Sequence, residues 1–170
     1  MSVTVEEAIK TSIEYETKVR DVYEDAVARA ETEDGKKLFQ VMADEEQHHL
    51  DYLESKLREW SKTGKVTPEG LKTALPPAET IEAGIAVLED QVGDGAGRIE
   101  IEFLEKAHAV ERETCGFYRK MVDKLPKEAK ELFRRFLEIE EGHLALVQAQ
   151  IDQVTGTGYW FDVAEFSLEG

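Results

Sequence analysis

The chain repeats itself. "LFQVMADEEQHHLDYL", beginning at Leu38, overlies "LFRRFLEIEEGHLALV", beginning at Leu132, at a fixed offset of 94 residues. In that register Leu38 meets Leu132, Phe39 meets Phe133, Glu46 meets Glu140, His49 meets His143 and Leu53 meets Val147. A second pair, "ETKVRDVYEDA" from Glu16 and "ERETCGFYRKM" from Glu111, repeats at 95 residues and aligns Glu16 with Glu111 and Tyr23 with Tyr118. Each half is one unit offering a Glu, a Tyr and a Glu-x-x-His, and a repeated unit of this kind buries its apolar face against its copy.

The units read as helices. Ala8, Ile9, Ile13, Val19, Val22, Tyr23, Ala26 and Val27 recur at spacings of three and four, the period of an amphipathic helix, which predicts a first long helix over about 5–30. After the polar turn "ETEDG" at 31–35, a second periodic stretch covers about 36–60 and returns antiparallel to the first. Residues 61–97 hold three of the four prolines and read as a crossover, with a short helical segment from Thr80 to Gln91 before the helix-breaking "GDGAG". A third long helix is predicted over about 98–123. A fourth covers about 127–154, with Pro126 at or near its first position. Two hairpins joined by one long connection make an all-α four-helix bundle, in a single domain spanning 1–170. The tail over 155–170 is expected to be non-helical. Its Tyr159, Trp160, Phe161 and Phe166 should bury against the bundle or a dimer partner.

Glu-x-x-His alone carries little information here. Glutamate is 27 of the 170 residues and all four histidines, His48, His49, His108 and His143, have one three positions earlier. The duplication separates ligands from accidents. The partners of Glu45 and His48 in the second half would be Ile139 and Gly142, so that pair has no copy. Face geometry agrees: Phe39, Met42, Glu46, His49, Leu53 and Leu57 form one stripe, apolar except for the Glu and the His. The stripe through Glu45 and His48 is half polar and reads as a solvated flank. His108, one turn before Glu111, reads as a core-edge histidine, with a supporting or alternate ligand role as the other possibility. Cys115 reads as a small packing residue.

A Glu and a His three residues apart on a helix both reach one cation or serve two neighbouring ones. Four helices then bring Glu16, Glu46, Glu111 and Glu140 together with His49 and His143. Four buried carboxylates are costly unless protonated or neutralised, and two divalent ions cancel their charge. Oxygen and nitrogen ligands without thiolate fit a di-iron or di-manganese carboxylate centre, one Glu from each of two helices and a Glu-x-x-His from each of the other two. The balance of 21 basic and 37 acidic residues, a net charge of −16, argues against nucleic-acid or anionic-membrane partners and favours cations. No apolar run approaches the ~20 residues of a membrane span. "MSVTVEEAIK" lacks the basic and apolar regions of a signal peptide, and the single cysteine suits a reducing compartment, so a cytoplasmic location is expected.

Through "ETKVRDVY", "ADEEQHHLDYL", "ERETCGFY" and "EIEEGHLALV", over about residues 5–155, the chain resembles the rubrerythrin-like branch of the ferritin-like di-iron superfamily. The resemblance implies a ferritin-like bundle in which Glu46 and Glu140 bridge two irons and Glu16, His49, Glu111 and His143 are terminal ligands. It implies that Tyr23 and Tyr118 hydrogen-bond the site carboxylates and take part in proton or electron delivery. Two departures stand out. A single cysteine leaves no four-cysteine rubredoxin module, and Thr114 occupies the place of a further family glutamate. The expected activity is reduction of hydrogen peroxide, or reaction with dioxygen, with electrons from an external carrier such as a rubredoxin-like protein. A ferroxidase of ferritin type and a non-enzymatic interaction bundle are the alternatives. Manganese or a mixed pair could replace iron, and a homodimer is expected.

Overall fold

The computed structural model describes residues 2–85, 95–158 and 160. These residues form an all-α bundle of five helices: α1 (Val5–Arg29), α2 (Glu33–Thr63), α3 (Ala78–Ile85), α4 (Arg98–Lys124) and α5 (Lys127–Thr157). The helices begin where side chains can satisfy their free amides. Thr4 and Glu7 close a reciprocal capping box at α1. Thr32 caps α2 by accepting from the Gly35 amide, which draws Glu33, Asp34 and Gly35 into its first turn. The turn expected at 31–35 is therefore shorter than its polar composition implies, and α2 starts three residues early. It ends at Gly64, whose φ of +65° is cheap only for glycine. Gly158 ends α5 in the same left-handed conformation, so the helix continues through Thr157 into the stretch expected to be tail.

α1 pairs with α2, α4 with α5, and α1 with α4, while α3 lies against α5. The contacts between hairpins run in opposite senses: Glu16 reaches Tyr118 and Tyr23 reaches Glu111 across α1 and α4. The core is divided into two apolar layers. One gathers Val19, Tyr23, Phe39, Met42, Leu104 and Leu146. The other gathers Ile9, Leu53, Tyr118, Leu132, Phe133 and Phe136. Burying each large aliphatic or aromatic side chain contributes roughly 1.5–3 kcal/mol, so these layers supply much of what holds the helices together.

The crossover is pinned at both edges. Pro76 and Pro77 pass so close to Gly142 that a Cβ there would lie 3.1 Å from the Pro76 carbonyl oxygen. At its far end, Glu100 of α4 accepts from the amides of Glu31 and Thr32, both at 2.8 Å, and ties α4 to the α1–α2 turn. The helical segment expected from Thr80 begins at Ala78, and its expected continuation over 86–91 lies outside the described residues. Of the tail aromatics, Trp160 is buried and packs edge-on against Phe39, at 6.0 Å between ring centroids. Tyr159, Phe161 and Phe166 lie outside the described residues. Among the described residues, no helix is long and apolar enough to cross a membrane.

Candidate metal centre

Between the two apolar layers, all four long helices turn polar side chains inward. Glu16 comes from α1, Glu46 and His49 from α2, Glu111 from α4, and Glu140 and His143 from α5. None is more than 1% exposed. His49 Nδ1 lies 3.0 Å from Glu140 Oε1, 3.4 Å from Glu46 Oε2 and 3.5 Å from Glu16 Oε2. His143 Nδ1 lies 2.8 Å from Glu46 Oε1, 3.4 Å from Glu140 Oε2 and 3.9 Å from Glu111 Oε1. Two overlapping ligand groups result: Glu16, Glu46, His49 and Glu140 in one, and Glu46, Glu111, Glu140 and His143 in the other. Glu46 and Glu140 belong to both. Each tyrosine supports the other hairpin's carboxylate, Tyr23 Oη donating to Glu111 Oε1 at 2.7 Å and Tyr118 Oη to Glu16 Oε1 at 2.5 Å.

The electrostatics show how such a cluster is held without a cation. Burial, then the charges of Glu140 and Glu46, hold the carboxyls of Glu16 and Glu111 well above the ordinary glutamate range, so these two keep protons. Burial and the charge of Glu140 push Glu46 up, but the neighbouring Glu16 carboxyl and His143 outweigh them and leave it lowered. For Glu140, burial is overcome by the two histidines, and it stays ionised far into acid. Burial lowers the basicity of His49 and His143; the surrounding carboxylates more than reverse this and hold both imidazoles protonated. Burial and the neighbouring carboxylate also raise Tyr23 and Tyr118, which remain phenols and hydrogen-bond donors.

The donor set fits a pair of divalent ions. Glu16 Oε2, Glu46 Oε2, Glu111 Oε2, both oxygens of Glu140 and His49 Nδ1 are buried without a hydrogen-bond partner. Such atoms are expensive to leave unsatisfied in a core, at about 1–3 kcal/mol each. Their convergence with imidazole nitrogens is what a cation satisfies.

The second Glu-x-x-His divides. His48 is exposed, as a solvated flank requires, but Glu45 is only 5% exposed and the flank reading fails for it. The crossover causes this: Thr73 Oγ1 donates to Glu45 Oε2 at 2.7 Å and the Ala74 amide to Oε1 at 2.8 Å. With His49 and His143, Glu45 forms a third buried group of ligand atoms. Burial pushes its carboxyl up, but the nearby His143 imidazole and the hydrogen bonds from Ala74 and Thr73 prevail and lower it to about 2. Its placement against the crossover leaves no periodic trace in the sequence. His108 is half-buried and joins none of the ligand groups found among the described residues. Thr114 is buried and spends its hydroxyl on the Val110 carbonyl one turn back, at 2.8 Å. Cys115 is buried and its thiol is pushed up by burial and by Glu140, the behaviour of a packing residue.

No protein-family model matches the chain, and no curated protein matches it. Its chemistry is read from its own side chains.

Proposed function

We propose that the chain is a non-haem di-iron protein of rubrerythrin-like type within the ferritin-like superfamily, reducing hydrogen peroxide or reacting with dioxygen. The observation that carries this reading is that Glu46 and Glu140 belong to both ligand groups. Two carboxylates facing both halves are what two adjacent ions need, whereas a single ion would leave one Glu and one His of the set unused. Manganese suits the same ligands.

An iron pair, when bound, supplies two electrons to a single O–O bond. Glu46 and Glu140 would hold the pair together, Glu16 with His49 and Glu111 with His143 would hold its two ends, and the apolar layers exclude bulk water. Tyr118 and Tyr23 orient the terminal carboxylates and keep a phenol proton beside the site. Two electrons and two protons per peroxide give two waters. The single cysteine is buried, so electrons would come from an external carrier such as a rubredoxin-like protein. The long crossover is compatible with a homodimer.

The test is anaerobic loading with ferrous iron followed by a stoichiometric addition of hydrogen peroxide. The expected result is consumption of one peroxide per iron pair, faster than free ferrous iron consumes it, with the iron still bound afterwards. Oxidation no faster than in buffer would overturn the peroxidase reading. Uptake of iron far beyond two ions per chain would favour a ferroxidase instead.

A further inference from the structure

Glu45 occupies a position that the two-fold repeat does not explain. The imidazoles of His49 and His143 are parallel, 1° apart in plane and 5.4 Å apart between centroids. Their Nδ1 atoms face the four central carboxylates. Their Nε2 atoms face the opposite way, toward a single oxygen: Glu45 Oε2 is 3.5 Å from His143 Nε2 and 4.0 Å from His49 Nε2. Neither Nε2 has a hydrogen-bond partner, and both rings are 1% exposed. The carboxylate cannot swing away, because Thr73 and Ala74 hold it from the crossover.

An imidazole that binds a cation through one nitrogen carries its proton on the other, and a carboxylate accepting that proton fixes both tautomer and ring orientation. Here one carboxylate faces both rings. The Ala74 amide takes Oε1, while the Thr73 hydroxyl and the Nε2 edges of both imidazoles converge on Oε2.

We propose that Glu45 is a positioning residue shared by both histidines, its carboxylate accepting Nε2–H from His49 and from His143 and holding both Nδ1 atoms toward the ion pair. This rests on the two-metal reading of the cluster. It gives the crossover a role in the centre, since Thr73 and Ala74 set where that carboxylate stands. It also makes the two ends of the site interdependent through one residue that lies outside both groups sharing Glu46 and Glu140.

The test uses zinc as a diamagnetic probe on the full chain, comparing wild type with Glu45→Gln, which keeps size and an oxygen acceptor, and Glu45→Leu, which keeps neither charge nor acceptor. Nitrogen-detected imidazole spectra report tautomer and Nε2–H exchange, and titration reports affinity. In wild type both histidines should show a protonated, slowly exchanging Nε2. In Glu45→Leu both signals should lose protection together, and zinc affinity should fall roughly 10- to 100-fold with two ions still bound at saturation. Glu45→Gln should fall between, and decides the matter if the leucine variant does not fold. Unchanged signals and affinity in the variants, or a change at one histidine only, would overturn the shared role while leaving the two-metal reading intact. A wild type that binds no zinc would overturn both.

Discussion

Tyr118 and Tyr23 each cross from one hairpin to the other to reach a buried carboxylate, Glu16 or Glu111, so each stabilises the bundle as well as shaping the cluster. Tyr118→Phe leaves Glu16 Oε1 buried without its donor. It should cost about 1–3 kcal/mol in denaturant unfolding of the metal-free protein, and an unchanged midpoint would show that the hydrogen bond contributes nothing. The protonation pattern sets a second expectation. In the metal-free fold His49 and His143 are raised above 6.5, and Glu16 and Glu111 above 4.5. Groups raised on folding lose their stabilising contribution as pH climbs past those ordinary values. Glu45 and Glu140, held low, lose theirs as pH falls below 4.5. Metal-free protein should therefore melt at a lower temperature at about pH 8 than at about pH 6. Cations must displace the protons on these four ligands, so metal affinity should rise over the same interval. Thermal melts and metal titrations at the two pH values check both directions, and parallel trends would contradict the protonation scheme.

Among the helices, the repeat is broken where the crossover passes. Glu45 and His48 correspond to Ile139 and Gly142, and Gly142 is the glycine against which Pro76 and Pro77 rest. Gly142→Leu should push the crossover off α5 and cost about 1–3 kcal/mol. Gly116 of α4 has nothing within 4 Å of an added Cβ, so Gly116→Ala should instead gain roughly 0.5–1 kcal/mol from helix propensity. Chemical denaturation of the two variants compares the two effects, and equal shifts would contradict the close approach. The same contrast explains what could be read from sequence. Glu16, Glu46, His49, Glu111, Glu140 and His143 were legible because each interrupts a buried helical stripe and has a counterpart at the matching position of the other half. Glu45 was not, because its burial comes from Thr73 and Ala74, in a segment without periodicity. The helix ends were misplaced at Thr32 and Thr157 because capping side chains and a left-handed glycine decide them, not the apolar stripe.

The bundle places a buried carboxylate and imidazole cluster between two apolar layers, an arrangement that is costly without cations and that bound cations would stabilise. Metal binding to the folded chain alone raises stability by mass action, about 2.7 kcal/mol at a hundredfold excess over the dissociation constant. The net charge of −16 favours cation uptake and opposes compaction, so filling the site would relieve part of the repulsion that the fold carries. The most direct measurement is the number of metal ions held per chain after anaerobic loading with ferrous iron and removal of the excess, in wild type and in the Glu46→Ala, His143→Ala double variant. Two ions in the wild type and loss of both in the double variant are predicted. A wild type that holds none, or a double variant that still holds two, would contradict the centre described by Glu46, Glu140 and the two histidines.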